Sequence, residues 1–412
     1  MRDIYLENQA SKKNLIDDAP DPGLEMVVII PCFDEPDLTE CLQSLILSQK
    51  SGEIKIEVII IVNYPENADP AIIQRSKQLI KQVEELKKQV KSGFPIFTHM
   101  SVFPKKKAGV GMARKTGMDE ATRRFAALDR EGIIVNLDAD CTVAPDYFNE
   151  IGRYYEDNPA IWAAGVQFEH RTGQGMERAL EEAIIEYELH LRYFIAAQRL
   201  IGLPFAYQTV GSCMTVRSTA YRKMGGMNMR QAGEDFYFLH KFIDINRFGE
   251  INTTTVYPAA RPSHRVPFGT GRAVAARMEG ERQKTYSWLS FQSLEAMVKA
   301  LPELHKTTMV MEWIYALPEV VREYLLEIDA ATKLDEIRRE TNRYETFYAR
   351  YFQWFNAFRL MKYLHAVRRY FPDQPVVSEA GQLIKMMKPD YGYNSVEDLL
   401  RAYRDLARDV KL

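Results

Sequence analysis

Short apolar, β-branched runs alternate with amphipathic stretches along the first part of the chain. Residues 26–30 stop at Pro31, residues 56–62 break at Asn63-Tyr64-Pro65, and a further run covers 132–137, with a short, more polar strand expected over 96–103. Runs this short, apolar at successive positions, predict strands buried on both faces of a parallel sheet. Between the first two, Leu38, Cys41, Leu42, Leu45 and Ile46 line one side of a helix that Asp37 or Thr39 is placed to cap. Ile72, Ile73, Leu79, Ile80, Val83, Leu86 and Val90 make one stripe over 71–91, with lysines elsewhere. Alternating strands and helices predict a doubly wound α/β layer with its ligands beyond the carboxyl ends of the strands.

The pattern continues with a helix whose small residues Ala113, Gly117 and Ala121 predict close packing on the sheet, and with a helix from about 144 that has Pro145 in its first turn. A strand over 161–168 precedes a long helix over 176–200, with Leu180, Ile184, Tyr187, Leu191 and Phe194 as its expected core stripe. Residues 208–217 have strand character. From about 276 glycine becomes rare and helical patterns rich in Tyr, Trp, Phe and Arg take over, ending in a helix signalled by Ser395 to Asp398. The expected organisation is an arm over 1–24, an α/β domain over 25–275 and a helical domain over 276–412. The helical domain is a candidate for packing on the α/β layer or for joining two copies as a homodimer.

Composition narrows the class. With 412 residues, 46% hydrophobic and 27% charged, the chain reads as an ordinary soluble protein of more than one domain. A net charge of -2 argues against nucleic acid or an anionic membrane as partner. Cys32, Cys41, Cys141 and Cys213 show no C-x-x-C spacing, which points to reduced thiols and a cytoplasmic location. The polar residues 1–22 lack an apolar core of a signal peptide, and no apolar run is long enough for a transmembrane segment.

Three places carry candidate chemistry. Asp138-Ala139-Asp140 puts two carboxylates at the end of a strand, where hard oxygen ligands suit Mg²⁺ or Mn²⁺, although for the triplet on its own an exposed acidic turn is the commoner explanation. Lys105-Lys106-Lys107, with Gly109 and Gly111 before a helix, suits phosphate or a solvated face. Glu234-Asp235 opens a helix, where acidic residues also complement the macrodipole. His190, beside a core stripe, reads as a structural histidine.

Taken in order, Pro31-Cys32-Phe33-Asp34-Glu35, the stretch from Gly109 to Gly117, Asp138-Ala139-Asp140, Gly225-Gly226-Met227 and Gly233-Glu234-Asp235 resemble the nucleotide-sugar glycosyltransferases of family 2, over about residues 26–272. The resemblance implies a GT-A fold, a mostly parallel Rossmann-like sheet, here with a C-terminal α-helical appendage. It further implies that Pro31, Phe33, Glu35, Arg114 and Asp138 line the nucleoside pocket, that Asp140 and His264 hold Mn²⁺ or Mg²⁺, and that Asp235 is the general base of an inverting transfer, with Glu234 orienting the acceptor. Arg265 and Arg272 are added as phosphate clamps. Asn63-Tyr64-Pro65 replaces the family's usual aspartate-rich turn, so the donor is expected to be a UDP-sugar or a GDP-sugar. With no membrane anchor the acceptor is expected to be soluble or small. Within the fold, a retaining enzyme acting on a small phosphorylated acid is the nearest alternative. A nucleotidyltransferase lacks support because no glycine-rich loop follows the first strand, and a non-catalytic nucleotide-sugar-binding protein is the remaining reading.

Overall fold

The computed structural model describes residues 4–10, 14–49, 54–89, 93–173, 175–230, 233–261 and 280–409. The chain divides into two compact units, one of residues 1–171 with 209–269, the other of 172–208 with 270–412.

In the first unit the elements are α1 (Ile4–Asn8), β1 (Met26–Cys32), α2 (Leu38–Ser48), β2 (Ile56–Pro65), α3 (Pro70–Gln89), β3 (Ile96–Phe103), α4 (Val110–Ala127), β4 (Ile133–Asn136), β5 (Thr142–Val143), α5 (Tyr147–Asp157) and β6 (Ala163–Phe168). After an excursion through α6 (Arg178–Leu200), which belongs to the second unit, come β7 (Met214–Arg217), α7 (Ser218–Lys223), α8 (Glu234–Ile243) and β8 (Phe248–Tyr257). The eight strands form one sheet in the order β3-β2-β1-β4-β7-β6-β8-β5. β1, β2, β3 and β4 are mutually parallel, with Met26 opposite both Ile56 and Ile133; β7 runs antiparallel to β4 and β6. β1 is buried along its whole length, as a central strand covered on both faces must be. α4 lies close on β1 and β2, since a Cβ on Gly117 would run into the Ile29 side chain and lie 3.2 Å from Ile61 Cγ1. The small-residue face of that helix packs as its spacing predicts. From β1 the chain moves outward to β2 and β3 and then returns to β4 on the other side of β1. The carboxyl ends of β1 and β4 therefore flank a topological switch point, where an open α/β sheet leaves a crevice.

The second unit holds α6 and, among the described residues, α9 (Trp288–Lys299), α10 (Leu301–Lys306), α11 (Val310–Ala316), α12 (Glu319–Glu327), α13 (Ala330–Arg339), α14 (Tyr344–Trp354), α15 (Ala357–Val367), α16 (Val376–Met387) and α17 (Val396–Asp409), with a two-residue antiparallel pair, β9 (Lys284–Thr285) and β10 (Gln374–Pro375). The division departs from the expected one because α6 packs against α16 and α17. Its buried face is also rotated from the expected stripe: Ile184, Ile185, Glu188, Leu189, Arg192 and Tyr193 are buried, whereas Leu180, Tyr187, Leu191 and Phe194 are half-buried. Glu188 can face inward because Arg192 Nε and Arg404 Nε donate to its Oε1 at 2.7 and 2.8 Å and Arg404 Nη2 donates to Oε2 at 2.8 Å. His190 is structural in this unit, with Nδ1 2.9 Å from Thr285 Oγ1; burial pushes its imidazole down to about 4.

Candidate active site

The loop after β1 carries the first group of site residues. Pro31 is buried, Phe33 half-buried, and Asp34 adopts a left-handed φ of 50°. A non-glycine residue in that region needs support. Arg75 of α3 supplies it with a two-pronged contact, Nε to Asp34 Oδ1 at 2.6 Å and Nη2 to Oδ2 at 2.7 Å. Glu35 is thereby set inward and buried, and its Oε1 accepts from the Asp37 amide at 3.2 Å.

Directly across the switch point, β4 ends and the chain turns through Asp138-Ala139-Asp140, with the Cys141 amide donating to the Asp138 carbonyl at 3.0 Å. Both carboxylates remain about a third exposed. Burial raises the Asp140 carboxyl, and the neighbouring charges of Asp138 and Glu35 add to it, bringing it to about 6.

Arg114, four residues into α4, joins this turn to the start of α8. Its Nη2 donates to Asp138 Oδ1 at 2.6 Å and its Nη1 to Glu234. The guanidinium is almost fully buried, and a Cβ on Gly211 would lie on top of it, so a residue without a side chain stands there. Gly233, at φ 70°, turns the chain into α8 so that Glu234 points to Arg114. Asp235 is half-buried and its Oδ1 accepts from the Phe236 amide at 2.7 Å. Burial pushes the carboxyls of Glu234 and Asp235 up, and Arg114 works against that rise.

The structure thus brings together Glu35, Asp140, Asp138, Arg114, Glu234 and, beside it, Asp235. Glu234 is buried in the ion pair with Arg114, which suits holding that guanidinium more directly than meeting an acceptor. His264, Arg265 and Arg272 lie outside the described residues. Lys105, Lys106 and Lys107 are exposed in the turn after β3. Two participants had no role assigned from sequence. Arg75 acts from a helix 41 positions away from its partner. Arg261, just past β8, donates to Glu35, reaches Asp37 Oδ2 at 3.0 Å and lies 3.5 Å from Asp140 Oδ2. An arginine shortly after the last core strand was the available signal.

Among the described residues, no three His, Cys, Asp or Glu side chains gather as an ion-binding group. Mg²⁺ and Mn²⁺ commonly take only one or two carboxylates from the protein, together with phosphate and water. Asp140, with oxygens facing solvent beside a crevice, fits that mode.

An open α/β unit with charge-coupled carboxylates at the carboxyl ends of its strands has the layout of a ligand-binding crevice lined by acids suited to catalysis. Residues 27–224 match the family model described as glycosyl transferase family 2, and that region is a family 2 glycosyltransferase domain, of an enzyme class that draws on nucleotide sugars. The first unit is a mixed, largely parallel eight-stranded sheet of Rossmann-like order, and the second is helical. No curated protein matches the chain. Among solved structures, S. aureus TarS 1-349 in complex with UDP-GlcNAc aligns at 14% identity over 77% of this chain and 92% of that one, with a TM-score of 0.41. The same protein with UDP gives 14%, 77%, 92% and 0.39. Likeness this distant carries nothing about substrates. No helix among the described residues is long and apolar enough to cross a membrane.

Proposed function

We propose that the chain transfers a sugar, with inversion, from a nucleotide-diphosphate sugar to the hydroxyl of a soluble or small acceptor. The observation that carries this reading is Arg114, which ties Asp138 on the donor side to Glu234 at the head of α8, so that the two acidic motifs belong to one site. The nucleoside lies along Pro31, Phe33 and Glu35, with Asp138 near the ribose or the sugar. Asp140, with His264 as a second ligand, would hold a Mn²⁺ or Mg²⁺ ion, whose charge would support the departing diphosphate. Arg265 and Arg272 are offered as further contacts to phosphate.

Asp235 accepts the proton of the acceptor hydroxyl as that oxygen bonds to the anomeric carbon and the bond from carbon to diphosphate breaks. A base is most effective when its pKa lies near the working pH, and burial moves Asp235 in that direction. Because Glu234 is committed to Arg114, its part is to position that guanidinium and the start of α8. The donor nucleotide is UDP or GDP, since Asn63 stands in place of the acidic residue that usually reads uracil. The helical unit is proposed as a homodimer contact, and the protein as cytoplasmic.

A thermal-shift panel of UDP, GDP, CDP and their sugar conjugates, with and without Mn²⁺, tests the donor assignment on wild type and Asp140→Ala. A ligand at about 100 times its dissociation constant stabilises by about 2.7 kcal/mol. The expected result is a shift that requires one nucleotide and the metal and disappears in Asp140→Ala. No shift with any nucleotide contradicts the reading.

A further inference from the structure

Arg261 occupies a position that the transfer chemistry described above leaves without a role. Its guanidinium stands among Glu35, Asp37 and Asp140, three carboxylates from two loops on opposite sides of the switch point. It donates to Glu35, Nη1 is 3.0 Å from Asp37 Oδ2, and Nη2 is 3.5 Å from Asp140 Oδ2. Arg114, the other guanidinium nearby, is committed to Asp138 and Glu234.

Two features make the arrangement more than a static ion pair. The Arg261 side chain keeps about a quarter of its surface in solvent, so release does not require a buried guanidinium to be uncovered. Its contact with Asp140 is also the longest of the three, and it is the one on the carboxylate read as the metal ligand. A divalent cation on Asp140 and a guanidinium at 3.5 Å repel each other, so the two compete for the same oxygens. A nucleotide diphosphate changes the balance. It brings several negative oxygens, and the planar fork of an arginine matches them two at a time.

We infer that Arg261 is a resident counter-cation of the donor site: it holds Asp140 before the donor arrives, then yields that carboxylate to the metal and takes a diphosphate oxygen in exchange. This rests on the reading of Asp140 as metal ligand. The consequence is thermodynamic coupling. Metal binds weakly to the protein alone and tightly with nucleotide diphosphate, and the nucleotide gains by the same factor, which for such couplings is about 5- to 150-fold.

Mn²⁺ titrations followed by the electron paramagnetic resonance signal of the free ion, without and with saturating UDP or GDP, separate the possibilities. The variants are Arg261→Gln, Arg261→Lys and Asp140→Ala, each checked for an unchanged melting profile. Arg261→Gln is expected to bind Mn²⁺ about tenfold more tightly in the absence of nucleotide and to lose most of the coupling. Arg261→Lys, which keeps the charge but not the fork, is expected to retain weak Mn²⁺ binding and to bind nucleotide less well. Unchanged or weaker Mn²⁺ binding in Arg261→Gln overturns the exchange while leaving Asp140 as ligand. Wild-type Mn²⁺ binding in Asp140→Ala overturns the metal assignment itself, independently of Arg261. No Mn²⁺ uptake by wild type with either nucleotide overturns both.

Discussion

The α/β unit and the helical unit both bury charged side chains, but they treat them differently. In the helical unit the buried acids among the described residues are paired or hydrogen-bonded where they stand. Glu188, fully buried, receives three hydrogen bonds from two arginines, and buried Glu379 accepts from the Trp288 amide. Two buried tyrosine hydroxyls there end on backbone carbonyls, Tyr193 on Tyr286 and Tyr403 on Ala380, both at 2.9 Å. Around them Phe347, Tyr351, Phe352, Trp354 and Phe355 pack ring against ring. The α/β unit does the same at the amino end of its sheet, where Arg124 grips Glu57 at the start of β2, with Nη2 to Oε1 at 2.7 Å. At the carboxyl end it does not. Asp140, Glu234 and Asp235 all have carboxyls raised by burial, despite Arg114 and Arg261. Packing alone gives no reason to accumulate acid there, whereas a site that must hold a cation and take up a proton does.

If that contrast is correct, substitutions on the two sides should fail in different ways. The largest effect is expected from Asp235→Asn, with turnover falling about 10²- to 10⁴-fold while donor binding and the melting temperature are retained. Sugar transfer with the donor selected by the thermal-shift panel checks it, and retained turnover ends the general-base assignment. Glu188→Ala should do the reverse, lowering stability by about 3–5 kcal/mol because Arg192 and Arg404 are left facing a buried gap. The urea midpoint reports this. A change well under 1 kcal/mol would show that water takes over their charge. Next comes Gly211→Ala, whose Cβ meets the Arg114 guanidinium. Displacing it should cost about 1–3 kcal/mol and weaken nucleotide binding as well, so a variant with wild-type affinity contradicts the bridging role of Arg114.

The smallest effect belongs to His190. Its imidazole stays neutral in the folded protein down to about 4, whereas its ordinary value is 6.5. Below pH 6.5 the unfolded chain takes up a proton that the folded one refuses, so stability falls with pH by up to about 1.4 kcal/mol per unit until about pH 4. Above pH 6.5 the contribution is constant. His190→Gln should therefore flatten the wild-type loss by about 1 kcal/mol at pH 5.5, measured by denaturant titration. Parallel curves for the two proteins would contradict it.

The local part of the fold was readable from the chain. The runs at 26–30, 56–62 and 96–103 became β1, β2 and β3 with their starts unchanged, and the 71–91 stripe became α3, because in each case periodicity and breakers agree. The buried face of α6 was not readable, since Glu188 and Arg192 lie on it and the second arginine partner, Arg404, is 216 positions away. A Glu and an Arg four positions apart on a helix read as a solvent-exposed pair. The same limit applied at the site. Asp138, Arg114 and Glu234 each stood in a recognisable motif, but that one guanidinium joins the two acids depends on the return of the chain from β4 to α8. Arg75 and Arg261 belong to no motif, and their roles exist only through the loops they meet.

Hydrogen exchange of the wild-type protein, with and without the stabilising nucleotide and Mn²⁺, tests most directly whether the charged carboxyl end of the sheet is the working site. Protection is predicted in peptides covering 31–37, 110–118, 137–142 and 233–238, with the amides around Glu57 and Arg124 unchanged. Binding that leaves those four stretches as exposed to exchange as before, and protects the chain elsewhere, would contradict the account.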